Sequence, residues 1–374
     1  MMTRLSRWGL VSISRGESSV ERLRLLAALA LLFCVLVPTC ACDSEPTAFE
    51  FPLADQHGID EARLAEAYTS AQRSHTINSL LVERHGVLVA EGYFRGYVAD
   101  SLNRVWSVTK SFTSALIGIA IDEGYIESVD QTLADYLGSV VDELDPEKGA
   151  ITIRHLLTMS SGLPWIEEGE DSEYTDWVSA PDQVEYILEK PLVYEPGTQF
   201  DYSDGSAHLV SVVLSEATGT TALDFARQHL FEPLGFGPTE WWVDNRGYNF
   251  GGVGLGIRSR DMIRFGRLYL DGGAFGTSQI IPSEWVGAST QTQISPNLSN
   301  PDAWRYGYFW WLGDCGTHDC FWASGYAGQL IVVVPGLDLV VVATSPWDGG
   351  RLRAMDTWAF AFNLIMSEVL PAVR

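Results

Sequence analysis

A chain of 374 residues with 46% apolar and 11% aromatic side chains can bury a sizeable core, as one large domain or two modest ones, which excludes a disordered or fibrous protein. Its 48 acidic residues outnumber 24 basic ones, a net charge of −24, and this excludes nucleic acid and anionic membrane surfaces as partners because both demand positive charge. The simplest meaning of the acidity is a well-solvated surface.

The first 42 residues differ in kind from the rest. Arg22 and Arg24 precede an unbroken apolar run from Leu25 to Val37, and Pro38, Thr39, Cys40, Ala41 and Cys42 follow. This is the layout of a secretory signal, too short for a comfortable membrane span. Cys42, between Ala41 and Asp43, resembles a lipoprotein cleavage site, although Thr39 stands where an aliphatic residue is usual. Lipid anchoring through Cys42 and simple secretion are equal alternatives, and either makes the protein exported, to the periplasm or the outside. Residues 43–58 read as a linker, and 59–370 as the folded domain.

Asp60 to Arg73 has the spacing of an amphipathic helix capped by Asp60. Two strand-like runs, Ser79 to Glu83 and Val87 to Tyr93, are joined by Arg84, His85 and Gly86 as a hairpin. From Ser107 to about Leu270 the pattern is mainly helical, with helices expected at Thr152 to Met159, Val184 to Leu188, Ser206 to Ala217 and Arg260 to Leu270. Strands return at Tyr306 to Leu312, Phe321 to Ala323, Gln329 to Val334 and Leu337 to Thr344, before a closing helix from Met355 to about Val369. Strands at both ends with helices between predict an α+β fold. Its antiparallel sheet is built from residues of about 59–105 and 300–370, flanked by helices, with a mainly helical insertion over about 125–290. Gly252, Gly254 and Gly256 form a glycine-rich turn with no βαβ unit around it, so a nucleotide fingerprint is not expected there. Beyond the leader only Cys315 and Cys320 remain, flanking a turn between aromatic strands. A short disulfide stapling a hairpin is expected. The competing metal site is disfavoured by scattered histidines and the lack of any Cys-x-x-Cys or His-x-x-x-His spacing.

The chemical signal lies in the stretch Val105 Trp106 Ser107 Val108 Thr109 Lys110. The chain has only three lysines, and one of them stands three residues after a serine, where a helix places both on one face. Arginine could not serve there as a proton acceptor, because its guanidinium stays charged. Phe112, Ala115, Leu116, Ile119 and Ala120 continue at helical spacing, so Ser107 falls at the helix start. There the unpaired N–H groups favour an anion on its oxygen and a neutral amine on Lys110. With 32 serines in the chain the pair alone is a weak signal. The Gly-x-Ser-x-Gly elbow of Ser/His/Asp hydrolases is missing.

Two further segments complete a pattern. Tyr202 Ser203 Asp204 precedes a helix, and Ala323 Ser324 Gly325 Tyr326 leads into a strand. In order and spacing these and Ser107-x-x-Lys110 resemble the three motifs of the serine β-lactamase and penicillin-binding-protein superfamily, and the segments Ile151 to Leu163, Ala217 to Gly235 and Arg260 to Leu270 resemble its class C-type branch of esterases, D-amino-acid-releasing peptidases and aminohexanoate-oligomer amidases. The resemblance runs from about Ile59 to Leu370. It implies a three-layer αβα fold without a cofactor or metal. It also implies Ser107 as nucleophile, Lys110 as base or proton acceptor, and Tyr202 as the phenol serving the leaving group. The backbone N–H groups of Ser107 and Tyr326 would hold the oxyanion, and Asp204, Ser324 and Gly325 would line the substrate site.

Two departures bear on substrate. Ala323 stands where the family has a cation that helps hold a carboxylate, which makes β-lactamase activity less expected than hydrolysis of a small ester, amide or short peptide with a neutral acyl group. Asp204 replaces an asparagine; ionised, it only accepts hydrogen bonds, and contact with Lys110 would favour the ammonium over the neutral amine. The acidic run Glu167, Glu168, Glu170, Asp171, Glu173 and Asp176, interleaved with Trp165, Tyr174 and Trp177, is a solvated loop or, alternatively, a cover over the pocket favouring neutral or cationic substrates. Other readings of the same motifs are a penicillin-binding or sensing protein that is acylated without turnover, a DD-peptidase, and an acyltransferase.

Overall fold

The computed structural model describes residues 49–167, 172–296, 304–348 and 350–374. The leader, Cys42, and Glu168, Glu170 and Asp171 of the acidic run lie outside these residues. Twelve strands are present: β1 Ser79–Arg84, β2 Val87–Tyr93, β3 Leu102–Arg104, β4 Glu240–Trp241, β5 Leu255–Arg258, β6 Ala274–Phe275, β7 Ser278–Gln279, β8 Arg305–Tyr306, β9 Trp311–Cys315, β10 His318–Gly325, β11 Gln329–Val334 and β12 Leu339–Thr344. The helices that matter for the site are α1 Glu61–Ser74, α2 Val108–Asp122, α3 Ile153–Leu157, α4 Tyr174–Ser179, α5 Asp204–Thr218, α6 Ser259–Leu270 and α7 Arg351–Leu364.

Seven strands form the main sheet in the order β2-β1-β12-β11-β10-β9-β8, every neighbour antiparallel. The register Ser79↔Thr344 to Arg84↔Leu339 zips the two ends of the domain together. Every residue of β11 and β12 is buried, as strands covered on both faces require. Period-two alternation divides them: Ile331, Val333, Val340 and Val342 face one core with Phe112 of α2 and Phe265 of α6, while Leu330, Val332, Val341 and Ala343 face a second with Leu64 of α1 and Leu364 of α7. The result is helix, sheet, helix, the α+β arrangement expected from the chain.

Several boundaries move. Residues 49–58 are packed against the domain where a linker was expected, because Phe51 and Ala54 are buried in the second core and Phe51 N–H donates to Glu61. The expected strand Tyr306 to Leu312 is two strands, β8 and β9, with Phe309 between them in the left-handed region. The closing helix begins at Arg351, four residues early. Asp60 does cap α1, accepting from Arg63 N at 3.2 Å. Cys315 and Cys320, at the ends of the tight β9–β10 turn, are paired as a disulfide with Cα atoms 5.7 Å apart. Among the described residues no cluster of His, Cys, Asp or Glu could hold a metal ion.

One carboxyl inside this architecture is out of balance. Glu83 in β1 is 8% exposed, and burial pushes its carboxyl up to about 7 although Arg267, 3.8 Å away, pulls the other way. In the unfolded chain it ionises near 4.5, so between 4.5 and 7 folding takes up a proton. The penalty therefore grows as pH rises through that window and is complete above it. Glu83→Gln is expected to raise stability by about 2 kcal/mol at pH 8 and to leave it nearly unchanged at pH 4.5, as read by thermal or urea unfolding at the two pH values.

Candidate active site

The site forms where two fully buried helix starts meet. In α2 every residue from Val108 to Ala120 is buried, and α5 is buried from Asp204 to Ser215. Helices apolar on all sides belong in the middle of a domain, and packing these two together brings the polar residues of their first turns into contact. Ser203 caps α5, its hydroxyl accepting from Ser206 N at 3.0 Å, which fixes Asp204 as the first helical residue.

Ser107 sits at the start of α2 with its side chain half-buried. Lys110 is 1% exposed. Its ammonium donates to Ser107 Oγ at 3.0 Å, to the Gly252 carbonyl at 3.2 Å, and to Asp204 Oδ1 in a closer contact. Three acceptors match the three N–H bonds of a protonated lysine. Asp204, itself 2% exposed, holds Lys110. The residue that replaces asparagine is thus engaged in an internal ion pair.

Tyr202 completes the cluster. Its phenol hydrogen-bonds with the Ser107 side chain, and burial together with the negative charges of Glu167 and Asp204 holds it well above the usual phenol value. Its ring lies 4.7 Å from Lys110 Nζ, a cation–π contact, and stacks on Trp311 at 5.8 Å. Tyr202 is thus a neutral O–H donor at physiological pH. Glu167, the described start of the acidic run, faces the site through this charge effect, whereas Glu173 is spent on Lys190. Trp165 and Trp177 pack into the core, and Tyr174 of α4 reaches the rim, 6.2 Å from Trp106.

The oxyanion position is shaped by backbone. Trp106 has φ 50°, a left-handed conformation that a bulky residue adopts only under compulsion, at a strain of about 1–3 kcal/mol. Val105 N donates to Leu255 O at 3.0 Å, so β5 clamps the chain just before this bend. Opposite lies the end of β10: a Cβ on Gly325 would stand 2.2 Å from Val105 O and 3.3 Å from Ser107 N. Only glycine lets β10 come so near the Ser107 amide. Tyr326 follows, its ring 5.3 Å from Trp106. Ser324 does not join the site. Strand alternation turns it to the other face of the sheet, where its hydroxyl accepts from Trp358 Nε1 of α7 at 2.9 Å.

Gly252 went unread as a site residue. It supplies the carbonyl for Lys110, and an added Cβ would lie 2.6 Å from Asp204 Oδ1. Thr113 Oγ1 holds the neighbouring Gly251 carbonyl at 2.8 Å, tying this loop to α2. The usable signal was the crowding of glycines 251, 252, 254 and 256, a mark of close backbone approach.

With this geometry in hand, comparison with known proteins is decisive on family. A beta-lactamase family model matches residues 65–362. The chain belongs to the beta-lactamase family. The 6-aminohexanoate-dimer hydrolase of Paenarthrobacter ureafaciens is 25% identical over 371 residues, 90% of each chain, and the D-aminopeptidase of Brucella canis is 27% identical over 149 residues, 39% of this chain and 27% of that one. Among solved structures, EstCE1, a hydrolase with promiscuous acyltransferase activity, superposes with TM-score 0.65 at 17% identity, covering 81% of this chain and 99% of that one. A D-stereospecific amidohydrolase from Streptomyces sp. gives 0.61 at 18% identity, covering 78% and 97%. The fold is that of the β-lactamase and penicillin-binding proteins, and the relatives named here are hydrolases, a peptidase and an amidohydrolase among them.

The crowding at Gly325 makes an expected outcome. Gly325→Ala must push β10 off the Ser107 amide, so turnover should fall at least about 10²-fold, the scale of losing an oxyanion donor, while the thermal midpoint moves by only a few degrees. Steady-state kinetics beside calorimetry checks this.

Proposed function

We propose that this protein is a serine hydrolase that forms an acyl-enzyme on Ser107 and cleaves an ester or amide of a small molecule or short peptide. The observation that carries the reading is the 3.0 Å contact of Lys110 Nζ with a Ser107 hydroxyl that also meets the Tyr202 phenol. A nucleophile, a proton acceptor and a proton donor then converge on one atom, the arrangement acyl transfer needs. The leader pattern and the Cys315–Cys320 disulfide support export as part of the same proposal.

The resting cluster has a protonated Lys110, so the serine proton needs somewhere to go. Asp204 supplies it. As Ser107 Oγ attacks the carbonyl carbon, its proton moves to Lys110 Nζ and an ammonium proton moves from Nζ to Asp204 Oδ1; Lys110 stays an ammonium, and the negative charge of Asp204 is replaced by that on the carbonyl oxygen. In this reading the amides of Ser107 and Tyr326 hold that oxygen. Collapse of the tetrahedral adduct expels the leaving group, which takes the Tyr202 proton, and the phenol is refilled from Asp204 through Lys110. Water then repeats the sequence on the acyl-enzyme. Ala323 is 1% exposed and faces the core, so the third motif lends no charge to a substrate.

Ser107→Ala should lower hydrolysis of a nitrophenyl ester by about 10³-fold or more; turnover at the parent level would remove the proposal, and intact-mass spectrometry of the parent protein quenched in turnover should show one acyl adduct. Tyr202→Phe discriminates by leaving group: an alkyl ester or amide should lose about 10²–10⁴-fold in kcat, a nitrophenyl ester far less, because nitrophenolate departs without a proton. Asp204→Asn keeps the shape and an acceptor oxygen but cannot take a proton, so kcat should drop about 10²-fold or more with KM little changed.

A further inference from the structure

Two aromatic groups flank Ser107. On one side Tyr202 packs with Phe200, Tyr306 and Trp311. On the other Trp106 gathers Tyr174, Trp242, Tyr326 and Trp347, at ring distances of 6.2, 6.2, 5.3 and 5.5 Å. Into this second group projects Arg104, the last residue of β3. Its guanidinium carbon lies 4.6 Å from the centroid of Trp242 and 5.3 Å from that of Trp347. Arg104 is exposed, and Trp347 and Tyr326 are 36% and 37% exposed, so the group opens to solvent at the mouth of the site. Only Val105 and Trp106 separate Arg104 from Ser107, which keeps their Cα atoms within about 10 Å.

A guanidinium set over indole rings keeps its faces on carbon and its N–H bonds in the plane, directed outward. That is the fork that grips a carboxylate through two parallel hydrogen bonds. Among the described residues no carboxylate pairs with Arg104, in contrast to Arg258, Arg260 and Arg267, each of which is tied to an acid. In a chain of net charge −24 an exposed cation this close to Ser107 and without a carboxylate partner among the described residues is a place where an anion is welcome.

We infer that Arg104, held by Trp242 and Trp347, is the anion-recognition residue of this site, and that the substrate's acyl group ends in a carboxylate. This rests on the hydrolase reading above and names its substrate class. The acyl side follows from the proton chemistry. Tyr202 serves the leaving group, so the leaving group lies on the Phe200, Tyr306 and Trp311 side and the acyl chain runs the other way, over Trp106 toward Arg104. On this inference the cation missing from β10 is provided by β3, and the acyl group is anionic in place of the neutral one expected from Ala323.

The test compares mono-4-nitrophenyl glutarate with its neutral methyl ester, alike in shape and leaving group. The parent enzyme should prefer the carboxylate at least tenfold in kcat/KM at low ionic strength, with the preference shrinking in salt. Arg104→Gln should reduce that ratio at least tenfold, chiefly through KM, and Arg104→Lys should recover part of it, because lysine restores charge without the fork. A parent ratio of one or below, or an unchanged ratio in Arg104→Gln, overturns the inference. Quenching of tryptophan emission by free glutarate in the Ser107→Ala protein decides the point without catalysis: saturable quenching lost in Ser107→Ala/Arg104→Gln supports the anion site, and its absence in Ser107→Ala overturns it. If Ser107→Ala keeps full ester turnover while glutarate still binds, the hydrolase reading fails and the anion site stands.

Discussion

The ion pair between Lys110 and Asp204 is the constraint on which the rest of the site depends. Both side chains are almost wholly withdrawn from water, where removing one charge would leave the other uncompensated at about 3–5 kcal/mol. The pair therefore fixes how α2 and α5 meet, and through that the position of Ser107 at one helix start and Tyr202 two residues before the other. Gly252 belongs to the same unit, since its carbonyl takes the third ammonium hydrogen and its missing side chain makes room for the carboxylate. Stability and proton transfer are served by the same atoms. The helix dipole at the start of α2 opposes an ammonium there, and the contact with Asp204 outweighs it because a full charge at hydrogen-bond distance exceeds a partial one spread over a turn.

Around this unit strands of two sheets act as rulers. β10 delivers Gly325 to the Ser107 amide, β5 clamps Val105, and β3 leads Arg104 up to the rim. The strain at Trp106 is affordable because these strands and the aromatic group over-determine the bend. Gly325 and Arg104 thus sit on strands, while Lys110 and Asp204 sit in the first turns of helices.

Much of this was legible in the chain. Helical spacing after Ser107 and the continuous apolar runs that become β11 and β12 are strong signals; the helix and β11 stand where they were read, and β12 starts two residues later, at Leu339. The three motifs located Ser107, Lys110, Tyr202 and Gly325, because motif spacing reports which turns must meet. What stayed hidden depended on side-chain direction and on partners far along the chain. Ser324 has the right neighbours in sequence and the wrong face of the strand. Asp204 could be seen as a substitution, but not whether it looked inward to Lys110 or outward to substrate. Gly252 was dismissed because a glycine turn was tested only as a nucleotide cradle. Arg104 looked like any surface arginine until Trp242 and Trp347, distant in sequence, were seen to stand beneath it.

The pairing of β1 with β12 has a consequence for the order in which this molecule comes into being. Ser79 and Thr344 share a side-chain hydrogen bond across 265 residues, so the β1–β2 hairpin must keep an open edge while the whole helical insertion and the later strands emerge. β10, which forms the wall beside Ser107, arrives in that late portion too. Ser107 is thus made early and its β10 neighbour late. A chain caught partway through synthesis carries Ser107, Lys110 and Tyr202 but not the Gly325 turn that packs beside the Ser107 amide. Loop closure over this distance also predicts slow acquisition of activity during refolding, set by the joining of the two ends of the sheet and not by the helices between them.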